Sequence, residues 1–155
     1  MKFRITGISD THNKHNQLEG KLPGGDILIH AGDITSLGRK DEVKRFIKWF
    51  SKQEYKYKVF IAGNHDMSFD REILLRDKLA HFEGKYFTDD DEPCAEGKPE
   101  WLIDMLNNLD SNVFYLENSS IDIEGIKIWG SPYSPTFGHG WGFNKDRGHD
   151  IAQCW

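Results

Sequence analysis

Residues 57–66 read Tyr-Lys-Val-Phe-Ile-Ala-Gly-Asn-His-Asp, an apolar run that stops at a glycine followed by three polar side chains, Asn64, His65 and Asp66. The run 57–62 is short and rich in β-branched and aromatic residues, as a buried strand of a parallel sheet is. The same arrangement occurs twice upstream. Residues 26–30 (DILIH), bounded by glycines, lead to Gly32-Asp33, and residues 2–9 (KFRITGIS) lead to Asp10-Thr11-His12. Between the second and third runs, Val43, Phe46, Ile47 and Phe50 fall at i, i+3, i+4 and i+7 with charges between them. That spacing predicts an amphipathic helix over 39–53. Strand, helix, strand in this order predicts a parallel sheet with crossover helices, an α/β fold.

The remainder extends the pattern. Residues 71–80 (REILLRDKLA) read as a helix, with His81 at its end, and 99–107 as a second helix with Pro99 near its start, where a missing N–H is harmless. Residues 113–116, 121–123 and 126–129 read as three further short strands. The Glu124-Gly125 pair joins the last two as a hairpin. Residues 10–25, the acidic run 89–92 and the glycine- and aromatic-rich stretch 130–148 read as loops.

The 155 residues fit one domain, 1–155. No run of about 18 apolar residues exists, so no membrane helix is expected. The opening MKFRITGISD lacks the apolar centre and cleavage site of a signal peptide, which makes the cytoplasm the expected location. Cys94 and Cys154 form no C-x-x-C, which argues against a zinc ribbon, and two free thiols suit a reducing compartment. A net charge of −5 disfavours nucleic acid as a partner. The locally basic stretch 40–58 reads as the solvated face of a helix.

The polar clusters carry the chemistry. In an open parallel sheet the carboxyl ends of the strands form the ligand crevice. Three strand ends bring Asp, His, Asp, Asn and His to one rim, an inventory of hard oxygens and imidazoles suited to metal ions. In extended chain, residues two apart point the same way, so Asp10 and His12 are expected to reach one ion together. Asp33, a lone carboxylate, suits a bridge between two cations. Asn64 offers a neutral oxygen, and His65 is left to face a substrate. Each cluster alone reads equally as a capped turn. A turn must then recur at three consecutive strand ends.

The set Asp10-x-His12, Gly32-Asp33 and Gly63-Asn64-His65-Asp66 resembles the calcineurin-like metallophosphoesterases. The run 129–135 and Trp141-Gly-Phe-Asn144 look like a small single-domain branch of that family. The resemblance implies a metallophosphoesterase-like β-sandwich flanked by helices, of which this chain is the N-terminal part. It implies a two-metal hydrolase of small phosphoesters, including phosphodiesters. Asp10 and His12 would ligate the first ion, Asp33 both, and Asn64 the second. His65 would contact the scissile phosphate, and Asp66 would orient His65. Manganese suits the mixed oxygen and imidazole set, with iron or zinc as alternatives.

The resemblance also brings two histidine-bearing motifs, His-Gly-x-Pro and Gly-His-x-His, that this sequence lacks. Gly138-His139-Gly140 and Gly148-His149-Asp150 are the nearest strings, and both histidines read as surface or loop residues. Residues 149–155 (HDIAQCW) open an amphipathic helix, so the domain reads as C-terminally incomplete. An uncovered sheet edge then invites a second copy or a complementing chain. The alternative function is a catalytically impaired homologue acting as a metal-binding or protein-interaction module. His15 reads as a solvated loop residue and His30 as packed or hydrogen-bonded. Tyr133, Phe137, Trp141 and Phe143 read either as a stacking surface for an aromatic group or as a local core.

Overall fold

A computed structural model describes residues 2–80, 97–138 and 140–155, without the side chains of 76–80. The acidic run 89–92, His81, Cys94 and His139 lie outside the described residues.

Four parallel strands form the main sheet: β1 (Ile5–Ile8), β2 (Gly25–Ala31), β3 (Tyr55–Ile61) and β4 (Val113–Tyr115), side by side in that order. The register sets Ile8 beside His30 and His30 beside Phe60, so the strands end together on one rim. Between β2 and β3 runs α1 (Lys40–Ser51), and between β3 and β4 run α2 (Arg71–Ala80) and α3 (Glu100–Asn107). These positions agree with the periodicities in the sequence to within a few residues.

The two faces of the sheet bury different residues, as the period-two pleat requires. Leu28, His30 and Phe60 face α1, where Val43, Phe46 and Phe50 are fully buried. Phe46 and Phe50 stack with ring centroids 5.0 Å apart. Burial of three such rings and their aliphatic neighbours stabilises by roughly 2 kcal/mol per side chain, which outweighs any helix propensity. Ile27 and Val59 face the other way, against Leu116 and Ile123. A hairpin of β5 (Ser119–Ile123) and β6 (Ile126–Gly130) covers that face. Sheet and hairpin thus form two β layers with helices on one outer face, the sandwich arrangement expected from the sequence. The hairpin turns through Glu124 and Gly125 at φ +50° and +88°. Both are left-handed, as a two-residue turn of the right twist demands.

The stretch 130–148 is more ordered than a loop. It contains the two-residue strands β7 (Ser134–Pro135) and β8 (Asn144–Lys145), paired parallel, and leads into α4 (His149–Cys154). His15 is also placed differently from the reading above. A short 3-10 turn over His15–Leu18 buries it against Trp49 and Phe46, with ring centroids at 5.1 and 5.8 Å. No described helix is long and apolar enough to cross a membrane.

Candidate metal centre

Three loops meet above the strand ends: residues 9–14 after β1, 32–39 after β2 and 62–66 after β3. The backbone of the first is laid along the second. Asp10 N–H donates to Gly32 O at 3.0 Å, His12 N–H to Asp33 O at 3.0 Å and Asn13 N–H to Ile34 O at 3.2 Å. These contacts hold Asp10, His12, Asn13 and Asp33 at φ +53°, +39°, +65° and +54°. Asp, Asn and His tolerate that left-handed region better than other side chains, yet each such residue costs on the order of 1–3 kcal/mol.

Beneath the first loop, Thr11 Oγ1 lies 2.9 Å from His30 Nε2. His30 is wholly buried, and burial pushes its pKa down to about 4. The ring is therefore neutral at pH 7. On the outer side, Glu42 of α1 accepts from Asn13 Nδ2 at 2.7 Å and from the N–H groups of Leu37 and Arg39, both at 3.1 Å. One carboxylate thereby caps α1 and ties the first loop to the second.

Asp66 ties the second loop to the third. Its fully buried carboxylate accepts from Ile34 N–H, Thr35 N–H, Thr35 Oγ1 and Gly63 N–H at 3.1, 2.8, 2.6 and 2.8 Å. The sequence suggested that Asp66 orients the His65 ring. All the hydrogen bonds its carboxylate makes among the described residues go elsewhere, because the chain turns at Asp66 and carries the side chain under the loop. The Ser36 carbonyl holds the ring instead, 2.9 Å from His65 Nδ1. His12 Nδ1 is held the same way by the Thr35 carbonyl at 3.1 Å.

A carbonyl only accepts, so both Nδ1 atoms carry the proton and both Nε2 lone pairs are free. Carbonyl-oriented imidazoles of this kind are characteristic of metal ligands. His12, Asp33 and His65 have donor atoms within 4.8 Å of one another, with His12 Nε2 3.8 Å from Asp33 Oδ2. Asp33 Oδ1 accepts from His65 N–H at 3.0 Å, which aims Oδ2 into the group. Two imidazoles and a buried carboxylate fit a divalent transition metal. Gly63 permits the approach: a Cβ there would land on the Asp33 carboxylate and 2.5 Å from its backbone nitrogen.

Asp10 lies outside this cluster of histidine and carboxylate ligands, and the side chains of Asp10 and Asn64 make no hydrogen bond among the described residues. The Asp10 carboxylate is exposed. The backbone carbonyl of Asn64 accepts from Gly142 N–H at 3.0 Å. His65, assigned to the phosphate from the sequence, stands among the possible ligands. His149 pairs with Gln153 in α4, 2.8 Å apart, and is no member of the group.

A family model of calcineurin-like phosphoesterases matches residues 3–152. The chain belongs to this family. It is 39% identical over 152 residues to metallophosphoesterase domain-containing protein 1 of Homo sapiens and equally to that of Mus musculus. In both, the match covers 98% of this chain and 44% of the relative. UPF0046 protein K07C11.7 of Caenorhabditis elegans is 31% identical over 153 residues, 99% of this chain and 46% of that protein. The chain thus spans somewhat under half the length of these relatives. The family is in general class one of metal-dependent phosphoester hydrolases, and His12, Asp33 and His65 form a possible ligand triad in this chain.

Proposed function

We propose that this calcineurin-like chain is a cytoplasmic phosphodiesterase acting on small phosphoesters through two divalent ions, manganese foremost. One observation carries the reading: the imidazoles of His12 and His65, each oriented by a carbonyl on Nδ1, bring ligand atoms within 4.8 Å of one another and of the Asp33 carboxylate. Divalent ions bound there supply Lewis acidity toward a phosphate and acidify water. Asp33, between the first and third loops, would serve both ions, and Asp10 and Asn64 would be further ligands, as the family resemblance implies. His65 Nε2 faces the same space. A His65 ring that holds no ion would instead contact the scissile phosphate. Asp66 and Glu42 keep the loops in register without touching substrate.

The test is hydrolysis of bis(p-nitrophenyl) phosphate by the 155-residue chain with added Mn²⁺, beside Asp33→Asn. Turnover in the parent that the variant loses supports the reading; a folded, manganese-bound parent without turnover overturns it.

A second reading is a metal-binding or protein-interaction module. It is favoured by the ligand count, since three side chains gather among the described residues. On that reading the outer edge of β1, which pairs only with β2 among the described residues, receives a second copy or a complementing chain. Gel filtration showing a monomer at every concentration counts against it.

A further inference from the structure

Trp141, one of the four aromatics that the sequence offered as a stacking surface or a local core, stands against the candidate metal centre. Its indole centroid lies 4.1 Å from that of the His65 imidazole, the planes inclined by 39°. The His65 ring has a second neighbour, His12, edge-on at 4.4 Å. The indole is 76 residues from His65 in sequence and yet is firmly seated. Gly142 N–H donates to Asn64 O at 3.0 Å, and Phe143 N–H to the buried Asp70 carboxylate at 2.6 Å. Phe143 is only 1% exposed and packs edge-on against Tyr133, with centroids 5.4 Å apart. It is held at φ +54°, a conformation a bulky residue adopts only under constraint. Asn144 Nδ2 closes the turn on Gly142 O at 2.9 Å. Both anchors, Asn64 and Asp70, lie in the same segment as His65, so the loop is tied directly to the site.

This construction leaves apolar surface at the rim of a polar site. Trp141 is partly buried, the chain at Gly138 passes its pyrrole edge, and the neighbouring Phe137 is 60% exposed. Of the four aromatic residues in this stretch, Phe143 and Tyr133 account for the local packing.

We propose that Trp141 is a specificity-determining residue of this centre: its indole, fixed against His65, stacks on a planar aromatic group carried by the phosphoester. The inference rests on the phosphoesterase reading above and extends it to the organic half of the substrate. Ions and imidazoles recognise the phosphate, which is common to all phosphoesters and distinguishes none of them. A rigid indole beside the phosphate position adds a contact that only a flat ring can make. One ring stacked on an aromatic side chain strengthens binding by roughly tenfold.

The experiment uses two phosphonates that bind by the same chemistry and cannot be hydrolysed as esters. Phenylphosphonate and methylphosphonate are titrated calorimetrically into the manganese-loaded chain. The parent is expected to prefer phenylphosphonate by roughly tenfold. The preference should shrink to within about twofold in Trp141→Ala and in Trp141→Leu, which keeps bulk without a ring face, and persist in Trp141→Phe. A parent that binds both phosphonates equally overturns the inference and leaves the phosphoesterase reading standing. So does a Trp141→Leu variant, shown folded by circular dichroism, that retains the preference. A parent that binds manganese but neither phosphonate overturns both.

Discussion

Thr11 Oγ1 and His30 Nε2 meet 2.9 Å apart under the first loop, joining a wholly buried strand residue to the turn that carries Asp10 and His12. Burial is the main cause of the low His30 pKa, about 4. The unfolded chain takes up this proton near pH 6.5 and the folded chain only near 4. The His30 contribution is therefore intact above pH 6.5 and is lost as pH falls from 6.5 to about 4, by roughly 3 kcal/mol. His15, lowered by burial and by nearby Arg45, acts in the same direction. Urea unfolding of metal-free His30→Gln, which keeps a partner for Thr11, should show a flatter pH dependence than the parent over that interval. Parallel curves would disprove this account of His30.

Asp66 works in the opposite sense. Desolvation raises its pKa to about 7 against the pull of its four donors. Its folded-state pKa lies above the unfolded value, so its contribution is largest below pH 3.8 and declines as pH rises through about 7. The His30 and Asp66 effects oppose each other in the metal-free parent, so each is read by difference from its own variant. Asp66→Asn should remove the decline toward neutral pH, read as the gap between urea midpoints at pH 5 and pH 8.

Truncating the same carboxylate has a larger effect at constant pH. Asp66→Ala strands three backbone N–H groups and a threonine hydroxyl in the interior, at a cost of at least roughly 3 kcal/mol. A fall in the urea midpoint with an unchanged slope is the expected result. Because Ile34, Thr35 and Gly63 lose their common acceptor, manganese affinity should drop as well.

Gly63→Ala tests the site without touching a ligand. The added methyl collides with the Asp33 carboxylate and nitrogen, so Asp33 must move while the core, built from other residues, stays. Manganese affinity should fall by about 10–100-fold, a typical effect of disturbing ligand support. Calorimetry should show this with the circular dichroism spectrum preserved.

Glu42→Gln should loosen the junction of the first two loops. Glutamine has one acceptor where the carboxylate serves Asn13, Leu37 and Arg39. A stability loss of about 1–2 kcal/mol is expected, with weaker manganese binding alongside. Unchanged manganese affinity would separate the helix cap from the site.

The strands and α1 were legible because burial imposes a period. Val43, Phe46 and Phe50 announce their helix face, and Leu28 or Val59 their strands. The location of the site was legible for the same reason, since polar clusters at successive strand ends can only share a rim. The local aim of the side chains was not. The expectation that Asp10 and His12 point together assumed extended backbone, whereas both are left-handed. Asp66 follows His65 in sequence but serves the neighbouring loop. The carbonyls of Thr35 and Ser36 orient the imidazoles, and a backbone oxygen leaves no mark in the residue code. Trp141 was one of four candidate aromatics, and only the anchoring of its turn on Asn64 and Asp70 singles it out.

The left-handed residues around the centre have a last consequence. Glycine would sit at positions 10 and 33 with less backbone strain than aspartate does. Easing that strain would also delete a carboxylate from the rim, so the substitutions that toughen these turns are the ones that disarm them. Thermal robustness and ion capture are in direct trade-off here, and a search for hardier variants of this domain should begin at the helices and leave the three loops alone.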